Sequence, residues 1–306
     1  MSYVPSTSAE QQAMLKAIGV ESLEELLTAI PDEVRFHGAL DLPPALREAD
    51  VRRAVSALAA KNASAAQAAS FLGAGTYEHV IPSVVPHLMK RSEFYTSYTP
   101  YQPEVSQGML QAIYEFQTMV CEISGMDVAN ASLYDGSTAV VEGALLAVGP
   151  EGTGEVLVSR AVDPQYRATL RTYAWARGFT VREIELDGGV TALAKLEAAI
   201  TPETKAVIIQ HPNFFGCLED VYGVEKLVRA SKALFIVAIS EPASLGILTP
   251  PGEYGADIVA AEGGTLGMPP SFGGPALGLF ATKGEHVRRM PGRLAGRTVD
   301  NRGQTG

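Results

Sequence analysis

The chain has 306 residues, 46% hydrophobic and 19% charged, enough for one large domain with an appendage or for two domains. Thirty-four acidic side chains against 24 basic ones leave a net charge of −10, which argues against a nucleic-acid partner, since that role needs a basic face. No apolar run reaches the roughly 18 residues of a membrane span, and the start "MSYVPSTSAEQQAMLKAIG" shows no secretory pattern, so a cytoplasmic protein without a membrane partner is expected.

Residues 8–72 read as successive helices. "SAEQQAMLKAIG" has Ser8 as its cap and ends at Gly19. "SLEELLTAIP" follows, with Ser22 and Glu25 spaced for a capping box and Pro31 as a stop. "PPALREADVRRAVSALAAKN" and "SAAQAASFLG" complete the set. A turn-rich segment from Tyr77 to Gly108 comes next, and then a long helix over 109–125, "MLQAIYEFQTMVCEISG". Cys121 and Cys217 lack metal-type spacing and read as reduced, buried residues.

From about residue 130 the pattern changes. The runs "EVLVSR", "TVREIEL", "KAVIIQ", "LFIVAIS" and "DIVAAEG" alternate with "PQYRATLRTYAWARG", "TALAKLEAAI" and "VYGVEKLVRASKA". Several runs are apolar on both faces, as strands covered on each side must be. The alternation predicts βαβ units and an α/β fold with a mostly parallel sheet.

Ligands of such sheets collect beyond the carboxyl ends of the strands. In "NASLYDGSTAVVEGALLAVG", Asp135, Gly136, Ser137 and Thr138 precede an apolar helix, which makes them either an anion site or an ordinary N-cap. In "IIQHPNFFG", His211 and Asn213 either face a ligand or form an Asx turn. Glu241 ends the run "LFIVAIS-E" and either meets a protonated ring nitrogen or serves as a solvated or capping carboxylate. The glycine- and proline-rich loop "GGTLGMPPSFGGP" suits close approach of a ligand but holds no lysine, histidine or cysteine. The only ionisable residues of the stretch 256–282 are Asp257 and Glu262. Lys283, in "FATKGEH", is the one later lysine, either an exposed strand-end residue or a Schiff-base former. Tyr95, Ser97, Tyr98, Tyr101 and Gln102 form a hydroxyl-rich stretch between prolines. It suits an interface or a ligand rim, or else packs a loop on its own domain.

The segments "FYTSYTPYQPEVSQGMLQAIYEFQTMVCEISGMDVANASLYDGSTAVVEGALLA" and "PPGEYGADIVAAEGGTLGMPPSFGGPALGLFATKGEHVRRMPGRLAGRT" resemble the P-protein family of the glycine cleavage system, as does "EQQAMLKAIGVESLEELLTAIP". The segment beginning "PPGEYGAD" is similar to the first of the two subunits found where this protein is split. The resemblance implies an aspartate-aminotransferase-like fold, the type I fold of pyridoxal-phosphate-dependent transferases. It divides the chain into a helical segment 1–80, a large domain 81–290, and, at 291–306, the start of a C-terminal domain that the chain does not complete.

Matching the family's His-Lys-Thr triplet and Gly-Gly-Pro cluster to "GGTLGMPPSFGGP" sets Gly264 where the catalytic subunit carries its Schiff-base lysine. Glu241 falls at or beside the pyridine-binding position, Ser137 and Thr138 at the anion-binding turn, and no histidine lies near "YDGSTAV" to stack on a ring. The resemblance therefore implies a subunit that binds no cofactor covalently and holds these positions only as vestiges. It would complete the glycine site of a lysine-bearing second subunit, with Tyr95, Ser97, Tyr98, Tyr101 and Gln102 as lining residues. The complex would release CO2 from glycine and pass the aminomethyl group to the lipoyl arm of the H-protein. Two alternatives remain: a self-sufficient enzyme using Lys283, or a purely structural or regulatory partner.

Overall fold

The structure is a computed structural model that describes residues 6–63, 67–71, 73–75, 77–96, 98–271 and 273–304. The chain divides into two compact units, Met1–Ser64 and Ala65–Gly306.

In the first unit, α1 spans Ser8–Ile18. Its cap is Thr7, one residue before the expected Ser8. The Thr7 hydroxyl accepts from the Glu10 N–H, and the Glu10 carboxylate accepts from the Thr7 N–H, closing a capping box. Gly19 ends the helix in the left-handed region, as expected. The segment predicted as a second helix is only a 3₁₀ turn, Glu24–Leu27. Glu25 does reach back to the Ser22 hydroxyl and the Glu21 N–H, but the chain then turns at Asp32–Val34 instead of winding on. α2 follows at Glu48–Ala59. None of these elements holds a buried residue, and Leu23, Phe36, Leu40, Leu42, Val55 and Leu58 are all exposed. The helix expected over "SAAQAASFLG" falls partly outside the described residues, and its described part is not helical.

The second unit opens with two short helices in the segment expected to be turn, α3 (Val84–Met89) and α4 (Ser92–Tyr95). α5 (Pro103–Ser124) starts earlier than expected. Proline is tolerated at the first helical position, where its missing N–H has no acceptor to lose. The strands and remaining helices follow in the order β1 (Val128–Ala129), α6 (Gly136–Val148), β2 (Glu155–Ser159), α7 (Pro164–Arg177) and β3 (Thr180–Ile184). Next come the hairpin strands β4 (Leu186–Asp187) and β5 (Val190–Thr191), then α8 (Leu193–Ala199), β6 (Thr204–Gln210), α9 (Val221–Arg229), β7 (Leu234–Ile239), β8 (Ile258–Glu262) and β9 (Gly278–Thr282).

Seven of these strands form one sheet in the order β1-β9-β8-β7-β6-β2-β3. The run from β8 to β3 is parallel throughout, whereas β9 pairs antiparallel with β8 and β1 antiparallel with β9. Parallel crossovers run through α7, α8 and α9, whereas β7 reaches β8 through a 3₁₀ turn at Pro242–Gly246 and β8 returns to β9 through the glycine-proline loop. Alternate strand residues feed two cores. Val207, Ile209, Val237, Ile239 and Val259 pack with α5, α8 and α9 on one face. Ala206, Ile208, Ile236, Ala238, Ile258 and Phe280 pack with α6 and α7 on the other.

This arrangement gathers the carboxyl ends of five parallel strands along one edge, ending at Ser159, Ile184, Gln210, Ile239 and Glu262. The start of α6 joins them, because Leu133 and Gly278 exchange both backbone hydrogen bonds just before it. Ile208 lies on β6, between β2 and β7, and is fully buried. Ile208→Ala should lower the unfolding free energy by about 2–5 kcal/mol, measured by urea denaturation; a loss below about 1 kcal/mol would contradict this packing.

Candidate functional site

A cavity of about 600 Å³ opens at the carboxyl edge of the sheet. Its walls include Asp135 and Ser137 at the start of α6, Asp163, Gln165 and Tyr166 at the start of α7, and Glu262 at the end of β8. The glycine-proline loop closes one side with Gly264, Thr265, Met268, Pro269, Pro270 and Pro275, and Gly75 and Tyr77 come from the segment before α3. The loop singled out in the sequence is thus a wall of a real cavity.

The first turn of α6 is capped by the chain's own groups. Asp135 accepts from the Thr138 N–H at 2.8 Å and from the Ser137 hydroxyl at 2.6 Å, and its own N–H meets the Thr138 hydroxyl at 3.3 Å. The Gly136 N–H donates to Glu262 Oε2 at 2.9 Å. Glu262 Oε1 accepts in addition from Gly264 N–H at 3.0 Å and Leu277 N–H at 3.2 Å. Of the two readings of "YDGST", the structure shows the N-cap, reinforced by a second carboxylate from β8.

Tyr166 packs directly on this turn. A Cβ at Gly136 would lie 2.3 Å from the Tyr166 hydroxyl and 2.9 Å from the Glu262 nitrogen, so only glycine fits. Burial, with the carboxylates of Glu262, Asp163 and Asp135 adding to it, pushes the Tyr166 phenol well above its usual range. Asp163 caps α7 through the Gln165 N–H, while its own N–H donates to the buried Gln210 side chain. Three carboxylates thus line the cavity, and among the described residues no lysine, arginine or histidine does. The Thr265 hydroxyl is buried without a partner among the described residues.

The other expected residues lie elsewhere. Glu241 does meet a ring nitrogen, but that of this chain's own His79, with Nε2 2.9 Å from its Oε2, and it also caps the turn after β7. Asn213 is buried and forms the Asx turn, accepting from the Phe215 and Cys217 N–H groups and donating to Glu219. His211 accepts from the Glu219 N–H and packs against Tyr254, and burial holds its pKa down. Lys283 follows β9, whose end pairs with the start of β8, so it stands at the opposite edge of the sheet in an ion pair with Asp257. The two cysteines are free and half-buried, and burial raises the Cys121 thiol.

Tyr95, Tyr98 and Tyr101 do not line the cavity; they are 77%, 88% and 69% exposed. Arg293 donates to the Tyr101 hydroxyl at 3.0 Å and stacks over its ring at 4.6 Å, which lowers the phenol's pKa. Gln102 caps α5 by its backbone only, and Ser97 lies outside the described residues. Sequence reasoning missed Tyr166, Asp163, His79 and the role of Glu262. Of these, Glu262 carried a signal, as one of two ionisable residues in an apolar strand-loop-strand stretch.

A family profile described as the glycine cleavage system P-protein matches residues 1–306. A protein of Geobacillus thermodenitrificans named as a glycine dehydrogenase (decarboxylating) subunit 1 is 53% identical over 99% of this chain and 68% of its own length. One of the same name from Carboxydothermus hydrogenoformans is 49% identical over 100% of this chain and 69% of its own. Among solved structures, an inhibitor-bound glycine decarboxylase (P-protein) of the glycine cleavage system superposes with a TM-score of 0.90. It is 46% identical over 100% of this chain and 68% of that one. A pyridoxamine-pyruvate aminotransferase from Mesorhizobium loti, at a TM-score of 0.52 and 17% identity over 70% of this chain and 52% of that one, shares the fold alone. The expected type I fold of pyridoxal-phosphate-dependent transferases is therefore the one observed.

The burial of Tyr166 sets a titration. Its phenol, like that of Tyr254, is raised in the folded chain, so folding is unaffected below the ordinary tyrosine pKa of about 10 and loses stability as pH rises beyond it. In a titration of phenolate absorbance, Tyr166 and Tyr254 should ionise only as circular dichroism reports unfolding. All 11 tyrosines ionising together in a folded protein would contradict the site.

Proposed function

The chain belongs to the glycine cleavage system P-protein family, and we propose that it acts there as the first subunit of a decarboxylating glycine dehydrogenase whose second subunit carries the cofactor. Pyridoxal phosphate supplies such enzymes with an electron sink for breaking bonds at the substrate's α-carbon. The residues present in this chain do not fit it. Gly264, at the position matched to the Schiff-base lysine, has no amine, and among the described residues no lysine lines the cavity. The hydroxyls of Ser137 and Thr138 are engaged with Asp135, and three carboxylates would face the phosphate. Glu241 is already paired with His79. The single observation that carries the reading is this filled cradle in a chain 53% identical to a protein named as subunit 1.

The role left for this chain is to bind the partner and help enclose glycine. Exposed tyrosines present a large rigid area with a polar tip, which suits an interface. Tyr95, Tyr98, Tyr101 and Gln102, with Ser97 between them, would line the partner's glycine site, with Tyr101 fixed in place by Arg293. There they would orient glycine and exclude water, while the aminomethyl group leaves on the lipoyl arm of the H-protein. Residues 291–306 would begin a further domain, and the complex would work in the cytoplasm.

Reconstitution tests this. Each chain alone should release no CO2 from carboxyl-labelled glycine in the presence of H-protein and pyridoxal phosphate, and the two together should release it. Release by this chain alone would sink the proposal. Changing both Tyr98 and Tyr101 to Phe should slow the complex about tenfold, the worth of one hydrogen bond of ~1.4 kcal/mol. Unchanged kinetics would favour a purely structural subunit.

A further inference from the structure

The way the cradle is closed is itself informative. Glu262 is the last residue of β8, and its carboxylate turns back over the start of α6. A helix start is a natural place for a phosphate, because its first N–H groups point outward at the positive end of the helix dipole. Here an acceptor of the same charge already stands on it. One oxygen of Glu262 takes the Gly136 N–H at 2.9 Å, and the other takes the N–H groups of Gly264 and Leu277 at 3.0 and 3.2 Å. Asp135 takes the Thr138 N–H. The same Oε1 also lies 2.9 Å from where a Cβ would stand at residue 264, so a side chain at that position would run into the carboxylate. The Tyr166 hydroxyl lies on the same turn, against Gly136.

We infer that Glu262 is a built-in anion that substitutes for a ligand phosphate on the start of α6, and that this one side chain makes the cavity exclude phosphate-bearing ligands. The inference rests on the reading that the cofactor resides on the partner, and goes further by naming the residue that enforces it. A phosphate placed at α6 would have to displace Glu262, leaving Gly264 and Leu277 N–H without their acceptor, or else stand beside its charge. Removal of the side chain should therefore uncover an anion site that opens into the existing cavity.

The probe is inorganic phosphate, read as the midpoint of thermal unfolding against chloride at equal ionic strength. The full chain is used alone and as the complex with its cofactor-loaded partner. The wild type should show only the non-saturating rise that phosphate, being excluded from protein surfaces, gives a folded protein relative to chloride. Glu262→Ala should melt lower in chloride and be restored by phosphate along a saturable curve, with at least about tenfold tighter phosphate binding than the wild type, or ~1.4 kcal/mol. Glu262→Gln, which keeps the shape and one acceptor without the charge, should show the same gain in smaller measure, and it serves if the alanine variant does not fold.

Two outcomes would overturn the inference. One is variants that fold but respond to the two salts as the wild type does; the other is a wild type that binds phosphate saturably at this turn. Stoichiometric uptake of pyridoxal phosphate by the wild-type chain on one of its lysines would instead defeat the functional reading. That is measured separately and leaves the variants' phosphate response to be judged alone.

Discussion

The Glu262 carboxylate is the point on which the site's architecture turns. It accepts hydrogen bonds from three backbone N–H groups that belong to three segments: the start of α6, the loop after β8, and the residue leading into β9. Each of those donors would otherwise be an unpaired backbone group in a half-enclosed space, at a cost on the order of 1–3 kcal/mol apiece. The positive end of α6 favours the negative charge, and the charge in turn holds the glycine-rich loop in place. The loop also carries backbone bonds of its own, from Gly263 N–H to the Leu277 carbonyl and from Met268 N–H to the Gly264 carbonyl. Glu262 adds a side-chain anchor to these from the end of β8.

Much of the fold was legible because it follows from period and punctuation. Runs such as "KAVIIQ" and "LFIVAIS" are apolar on both faces, which only a strand between two helical layers tolerates, and they became β6 and β7. The alternation with helical stretches fixed the parallel sheet and hence the edge where ligands gather. Gly19 and Gly125 end helices in the left-handed region. The errors have local causes. The expected helix at "SLEELLTAIP" has the right capping residues, but Pro31 leaves it too short to propagate, so a 3₁₀ turn resulted. α3 and α4 were hidden in a segment whose prolines and tyrosines read as turn.

The site was harder to read, because its partners are distant in sequence. Glu262 and Gly136 are 126 positions apart, and nothing in either local pattern announces that they meet. Glu241 stood out as a carboxylate placed to hold a ring nitrogen; it does so, but the ring is His79, 162 positions earlier, on a segment with no regular structure. The absence of a lysine in the loop, by contrast, is a property of the sequence itself and needed no structure. Tyr95, Tyr98 and Tyr101 are exposed, which suits the assembly proposed for this chain.

On the proposed division of labour, this chain would supply surface and the partner subunit the reactive amine. The most direct measurement is borohydride reduction of the reconstituted, pyridoxal-phosphate-loaded complex, followed by peptide mass spectrometry of both chains. The account predicts one pyridoxyl label, on a lysine of the partner, and none on the eight lysines of this chain. A stoichiometric label on Lys283 or any other lysine here would contradict it.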